Sequence, residues 1–169
     1  GPAVTGEGVE TQVRLVSPAG NEAVLVWLNT SRDEPQTKPI MSSFFNGSEW
    51  SAPELVSVPG DVLCNYLDVA FRDGYGGLAY TVFVEDIEIG HHEKLKVVPW
   101  VAGYFQSGQV AELMVDSTHH LQLPILAISD NGIAAIAVKK EFQRPKDIDH
   151  KICQVDLLRG DLHDIHNPW

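Results

Sequence analysis

Apolar residues occur along the chain in short runs, and the polar segments between them contain Gly, Asn or Asp. The runs are rich in Val, Ile, Phe, Tyr and Trp, which suit the half-buried surface of a pleated sheet. No long stretch keeps apolar positions at helical spacing, and 14 Gly and 10 Pro interrupt the chain. The pattern therefore predicts an all-β fold.

A constant interval relates three of these runs. AVLVWL begins at Ala23, LAYTVFV at Leu78 and IAAIAV at Ile133, so that successive starts are 55 residues apart and each run follows a Gly-containing turn. A tight hairpin favours Gly because the backbone there needs positive φ. A second turn of this kind is predicted later in each segment, at Asn46-Gly47, Ser107-Gly108 and Arg159-Gly160.

The interval predicts three tandem four-stranded antiparallel meanders within one domain, 1–169, with units at about 9–58, 61–116 and 119–167. Repeated four-stranded meanders of this length are typical of consecutive β-propeller blades. A β-sandwich would explain the strands but not the interval. A β-solenoid or another stack is the third alternative.

Three blades would leave two terminal sheet faces uncovered, because propellers close with typically four to eight blades. The runs AVLVWL and IAAIAV are apolar at nearly every position, which is typical of strands covered on both faces. We therefore expect cover from further blades, from a partner chain, or from a second copy that completes a six-bladed ring.

The segment FFNGSEWSAPELV, at 44–56, resembles blades of secreted bacterial propellers that are loosely related to sialidases and to some sugar-binding propellers. At blade level the resemblance extends through all three units. It implies a propeller fold. The compartment stays open, and an extracellular or cell-surface location is the alternative that the resemblance suggests. The sialidase hairpin Ser-x-Asp-x-Gly-x-x-Trp is absent and no arginine trio can be matched, so sialidase activity is not implied.

The charge balance narrows the choice of partners. The formal net charge is -11 and the 12 Lys and Arg are scattered, so the chain has no basic patch for nucleic acid. No apolar run approaches the roughly 18 residues of a membrane-spanning helix. The start GPAVTGEG lacks the regions of a signal peptide and predicts a processed or excised segment.

Two cysteines, Cys64 and Cys153, lie among apolar strand residues. A buried free thiol behaves there as a small hydrophobic group. A disulfide between the two is the alternative, since the sequence does not give their separation in space.

Acidic segments at 31–34, 84–88 and 145–150 are predicted to be loops between the second and third strand of each unit. Loops on one face of a propeller would form a composite binding surface. Calcium would suit such oxygens, but the D-x-D-x-D-G spacing is absent, so no cofactor is predicted and calcium is the alternative. The candidate binding residues are Asp33, Glu34, Glu85, Asp86, Asp147 and Asp149.

The histidines favour solvated loops over a metal site. Adjacent residues on a strand point to opposite faces, so a His-His pair would offer at most one ligand per face. We therefore predict no metal site. The seven are His91, His92, His119, His120, His150, His163 and His166.

No nucleophile elbow, phosphate-binding loop or dinucleotide fingerprint is present. We therefore predict a non-enzymatic scaffold or binding module that completes a larger assembly or holds a protein or glycan partner. The alternative is a fragment of a propeller enzyme such as a glycoside hydrolase, with Asp68 and Asp130 as its candidate carboxylates.

Overall fold

The computed structural model describes residues 9–30, 37–61, 63–86, 90–107, 109–116, 119–142 and 153–162. These residues form twelve β-strands and no helix, so the all-β prediction is confirmed. In chain order the strands are β1 (Val9–Val16), β2 (Ala23–Thr30), β3 (Ile40–Phe45), β4 (Glu54–Leu55), β5 (Cys64–Arg72), β6 (Tyr75–Asp86), β7 (Gly90–Val101), β8 (Tyr104–Phe105), β9 (Ala111–Asp116), β10 (His119–Ile128), β11 (Ile133–Phe142) and β12 (Cys153–Asp161).

The strands form three antiparallel sheets, none of which closes on itself within the described ranges. The first sheet is the meander β1-β2-β3-β4, the second has the order β5-β6-β7-β8 with β9 also paired to β7, and the third is β10-β11-β12. The prediction of three four-stranded meanders thus holds for the first sheet. The fourth strand predicted for the third unit spans 162–166; Leu162 is described and lies in a turn after β12, and the other residues are outside the described ranges.

The second sheet gains its fifth strand from a hairpin that the sequence pattern did not predict. The chain turns at Ala102-Gly103, where φ is +53° and +96°, as a two-residue hairpin turn requires. Strand β8 then pairs with the end of β7, and β9 pairs with its middle. The segment VVPWVAGYFQ is therefore two strands rather than one.

Two of the predicted first turns lie where the glycines indicate. Gly20 and Gly132 have positive φ, and the turn hydrogen bonds run from Glu22 N–H to the Ala19 carbonyl (2.9 Å) and from Gly132 N–H to the Ser129 carbonyl (3.1 Å). In the second unit the turn is only Asp73-Gly74, so β6 begins at Tyr75 instead of Leu78.

The turn predicted at Arg159-Gly160 is wrong. Strand β12 continues to Asp161, and Gly160 pairs with Ala134 of β11. The continuing ladder with β11 keeps the backbone extended. A glycine lacks a side chain to pack but does not prevent such pairing.

The three sheets stack face to face, with the second sheet in the middle. Alternate residues of β6 point to opposite sides. Leu78, Tyr80 and Val82 join a core with Val24, Val26 and Leu28 of the first sheet. On the other side Ala79 joins a core with Leu95, Val97, Ala134, Ile136 and Val138. Strands β6 and β7 are therefore covered on both faces.

The first strand of each sheet lies at a sheet edge, and these three edges run side by side. Strand β5 contacts both β1 and β10. The register of each first strand is interrupted by a bulge, between Thr11 and Arg14, between Cys64 and Tyr66, and between Gln122 and Ile125. Bulges bend a strand and redirect its side chains, and here they shape a cleft.

Candidate binding site

A cleft of about 660 Å³ lies where the three edge strands meet. All three sheets contribute to its walls, and most of the contributed side chains are polar. The polar lining consists of Gln12 and Lys38 from the first sheet and its flanking segment, Asn65, Tyr66 and Glu93 from the second sheet, and His120 and Gln122 from the third. Such a cleft falls within the size range of small-molecule sites.

A carboxylate–imidazole pair forms one wall of this cleft. Strand β7 directs Glu93 toward the third sheet, where its Oε1 lies 2.8 Å from Nδ1 of His120. The other oxygen, Oε2, accepts a 2.6 Å hydrogen bond from the backbone N–H of Leu121. Glu93 is buried and His120 is half-exposed. The carboxylate therefore orients the imidazole ring and joins two sheets.

Gln12 forms another part of the cleft lining. Its φ of +50° places it in the bulge of β1, and its side chain crosses to the second sheet. The Oε1 atom accepts a 3.3 Å hydrogen bond from Leu67 N–H, and the Nε2 atom donates to the carbonyl of Asn65. Both ends of the amide are thereby hydrogen-bonded, so the Gln12 side chain ties the first sheet to the second.

A second groove of about 320 Å³ shares Gln12 and Tyr66 with the cleft and continues along the same strands. Asp68 lines this groove. One of its oxygens lies 3.5 Å from Nε of Arg14 on the first sheet, and the other accepts a 2.8 Å hydrogen bond from Leu126 N–H on the third. Asp68 therefore links all three sheets.

The space between the first and second sheets holds a buried polar network. Nζ of Lys96 lies 2.9 and 2.8 Å from the two carboxylate oxygens of Asp61, and the hydroxyl of Tyr80 donates a 2.7 Å hydrogen bond to the same group. Burial raises the pKa of Tyr80 above its usual value, and the bond to Asp61 raises it further. The network is a satisfied interior ion pair, away from the cleft.

Cys64 is a free, buried thiol beside this network. Burial, followed by the negative charge of Asp61, raises the pKa of Cys64 to about 12. The thiol therefore stays protonated near neutral pH. It is unreactive in that form, because the thiolate is the nucleophile. The interpretation of Cys64 as a small buried hydrophobic group is confirmed, while the side chain of Cys153 lies outside the described part.

The acidic residues predicted from the sequence do not line the cleft where they are described. Asp33, Glu34, Asp147 and Asp149 lie outside the described residues. Glu85 is exposed near the end of β6, and Asp86 is the last residue of that strand, with its side chain outside the description. The loop predicted at 84–88 is therefore wrong for its first three residues, because the β6–β7 ladder extends to Asp86 paired with Gly90.

Four of the histidines lie on strands, which corrects the prediction of loop histidines. His91 and His92 belong to β7, where His92 is buried, and His119 and His120 belong to β10. The remaining three, His150, His163 and His166, are outside the described residues. Among the described side chains, no three His, Cys, Asp or Glu are placed to hold a metal ion.

Sequence reasoning missed the pair of Glu93 and His120. A signal for Glu93 was present, because it precedes Leu95 and Val97 at intervals of two and so shares their face of β7. Both of those residues are buried against the third sheet. A carboxylate aligned with a buried apolar face requires a partner.

The chain matches no protein-family model, no curated protein and no solved structure. In the part of the chain that the structure describes, there is no helix with the length and apolar character needed to cross a membrane. The class that is established is an all-β protein of stacked antiparallel sheets.

Proposed function

We propose that the chain is a non-enzymatic binding module made of propeller-type blades, and that the cleft between its three edge strands holds a polar ligand of the glycan type. One observation carries the proposal: three sheets contribute polar side chains to a single cleft. The paired Glu93 and His120 give that cleft a fixed hydrogen-bonding wall.

The chemistry of the lining favours a carbohydrate. Asn65 and Gln122 offer side-chain amides, Tyr66 offers a phenol and Lys38 an ammonium group. Sugar hydroxyls both donate and accept hydrogen bonds, as side-chain amides and the phenol do, and they can accept a hydrogen bond from the ammonium group, which only donates. The ring of Phe83, which also lines the cleft, supplies an aromatic surface for the apolar face of a sugar.

The enzyme alternative has less support. Most glycoside hydrolases use two carboxyl groups, roughly 5 to 9.5 Å apart, on either side of the scissile bond. Among the described residues that line the cleft, Glu93 is the one carboxylate, and both of its oxygens are engaged by His120 and Leu121. Asp68 is engaged by Arg14 and Leu126, and Asp130 is an exposed turn residue.

The module is also proposed to complete a larger assembly. Large apolar side chains are exposed on both outer sheets, namely Leu15 and Leu55 on the first, and Ile125 and Leu157 on the third. Exposed apolar groups that share a face mark interaction surfaces. Further blades, a partner chain or a second copy would cover them.

Titration of the full chain with a panel of neutral, acidic and amino mono- and disaccharides, followed by calorimetry, tests the ligand proposal. We expect at least one sugar to bind, and His120→Ala to weaken that binding by about 10-fold or more, as for the loss of a charged or oriented hydrogen-bonding group. Asp130→Asn is the matched control and is expected to bind normally. Absence of binding across the panel, or equal binding by both variants, would contradict the proposal.

A further inference from the structure

Three leucines occupy corresponding positions on the first strands of the three sheets. Leu15 pairs with Leu25, Leu67 with Tyr80, and Leu126 with Ile136. Tyr80 faces the first sheet and Ile136 faces the second, so Leu67 and Leu126 each lie on the side of the preceding sheet. Leu25 alternates with Val24 and Val26, which face the second sheet, so Leu15 lies on the outer side of the first sheet.

The boundary between two neighbouring sheets is here called a seam. Leu67 and Leu126, the two leucines that lie in seams, make the same kind of contact there. The edge N–H of Leu67 donates to Oε1 of Gln12 at 3.3 Å, and the edge N–H of Leu126 donates to Oδ2 of Asp68 at 2.8 Å. In each seam, a side-chain oxygen of the preceding sheet thus accepts a hydrogen bond from a backbone N–H at the edge of the following sheet. Covered by that sheet, Leu67 and Leu126 are only 2% and 6% exposed.

Within the described ranges, no neighbouring sheet covers the corresponding edge at Leu15. The N–H of Asn29 bonds to the Pro39 carbonyl beside β3, and residues at intervals of two along a strand direct their backbone groups to the same side. Leu25 therefore bonds toward β3, which leaves the N–H of Leu15 directed to the open edge of β1. The Leu15 side chain is 64% exposed.

From this correspondence we infer that the outer side of β1 is a docking face for another β-sheet, and that this sheet presents a carboxylate or amide side chain to the N–H of Leu15. The docked sheet would bury Leu15 and the neighbouring Val13, which is also exposed, as the inner seams bury Leu67 and Leu126. The inference rests on the assembly part of the proposed function and not on the ligand cleft.

The third sheet of a second copy does not have the required chemistry. Gln12 and Leu123 hold the same place in their bulges, with φ of +50° and +48°. Asp68 and Ala127 also hold corresponding positions, because each directly follows the matching leucine of its strand. Asp68 pairs with Ala79, and Ala127 pairs with Ala135. At the corresponding positions the third sheet thus carries Leu and Ala where the inner seams carry an acceptor. The occupant is a sheet with Asp, Glu, Asn or Gln at one of these two positions.

Introducing a hydrogen-bond acceptor on the third sheet by substitution tests this inference. In the full chain, Ala127→Asp places a carboxylate on the outer face of the third sheet, which then matches the face around Leu15 of another copy. We expect Ala127→Asp to associate head to tail, with a concentration-dependent mass in light scattering that the unmodified chain lacks. Hydrogen exchange at the Leu15 amide should slow by about 10-fold or more in the associated form.

Two controls assign the contact to the proposed faces. Adding Leu15→Lys should abolish the association, and Ala127→Lys should not produce it. If Ala127→Asp fails to fold, Leu123→Gln supplies the acceptor at the other position. The inference is overturned if neither acceptor variant associates more than the unmodified chain, or if Leu15→Lys leaves the association intact. It is also overturned if the unmodified chain already self-associates through Leu15. None of these outcomes depends on glycan binding.

Discussion

The hydroxyl of Tyr80 donates a 2.7 Å hydrogen bond to the carboxylate of Asp61, which also holds the ammonium group of Lys96. All three groups are buried between the first and second sheets. The strands that supply Tyr80 and Lys96 are neighbours, and the two residues are directly paired across β6 and β7. The network therefore places an ion pair among the apolar residues that pack between these two sheets.

Removing one partner of this pair should destabilise the fold strongly. Lys96→Met leaves Asp61 buried without its counter-ion, which typically costs about 3–5 kcal/mol in the free energy of unfolding. Lys94→Met is the matched control, because Lys94 pairs at 3.0 Å with the more exposed Glu112 and should cost about 1 kcal/mol or less. Urea unfolding of both variants compares the two effects. Equal losses would show that the Asp61 carboxylate does not depend on Lys96.

Cys64 should resist alkylation in the native protein. Since its pKa is raised to about 12 from an ordinary 9.0, iodoacetamide at pH 8.5 should label Cys64 only after unfolding, as read by mass spectrometry of the peptide. Native labelling at the unfolded rate would contradict the assigned environment.

The same pKa makes a prediction for stability. The protonated thiol is favoured in the folded state, so this contribution is fully present below pH 9 and declines as pH rises from about 9 toward 12. In that window the unfolded state holds fewer protons, and the free energy of unfolding falls by up to about 1.4 kcal/mol per pH unit. Cys64→Ala should remove this part of the slope in urea unfolding at several pH values. An unchanged slope would contradict the prediction.

Two adjacent glycines of β6 should respond oppositely to alanine. At Gly76 an added Cβ would overlap the ring of Phe71, which packs edge-on against Trp100, so Gly76→Ala should cost about 1–3 kcal/mol. At Gly77 the added Cβ would meet Leu162 and Leu126 at 3.4 and 3.5 Å, an ordinary contact. Gly77→Ala should be neutral or stabilising by up to about 1 kcal/mol. Thermal unfolding that ranks them in the reverse order would contradict this packing.

Glu93→Gln should loosen the seam between the second and third sheets. The substitution weakens charge-assisted hydrogen bonds to His120 and Leu121 N–H, which are worth about 1.5–3 kcal/mol. Hydrogen exchange at Leu121 should therefore accelerate, while exchange at Leu67 in the other seam should not change. The exposed Glu112→Gln serves as the control. Equal acceleration at Leu67 and Leu121 would point to global destabilisation instead.

The conformational preference of glycine explains why the starts of two strands could be predicted from the sequence. Ala23 and Ile133 begin β2 and β11 as expected, because Gly20 and Gly132 adopt the positive φ that their turns favour. The same reasoning was wrong at Gly160, which lies within β12. A glycine permits a turn but does not require one, and the ladder with β11 decides the conformation there.

The candidate site was less predictable because it depends on how sheets stack. Glu93 and His120 belong to different sheets and meet only through the packing of β7 against β10. The alternation of apolar residues indicates which face of a strand is buried, but not which strand of another sheet lies opposite. Gln12 reaches Leu67 for a further reason that the pattern does not contain, namely the bulge in β1.

Side chains of three sheets line one cleft, which we propose to be the ligand site. Amide chemical-shift mapping of the full chain during titration with the sugar panel tests it most directly. We expect shifts that cluster at Lys38, Asn65 and Leu121, one from each sheet or its flanking segment, and that saturate together. Shifts confined to the outer faces around Leu15 or Leu157, or no saturable shifts with any sugar, would contradict it.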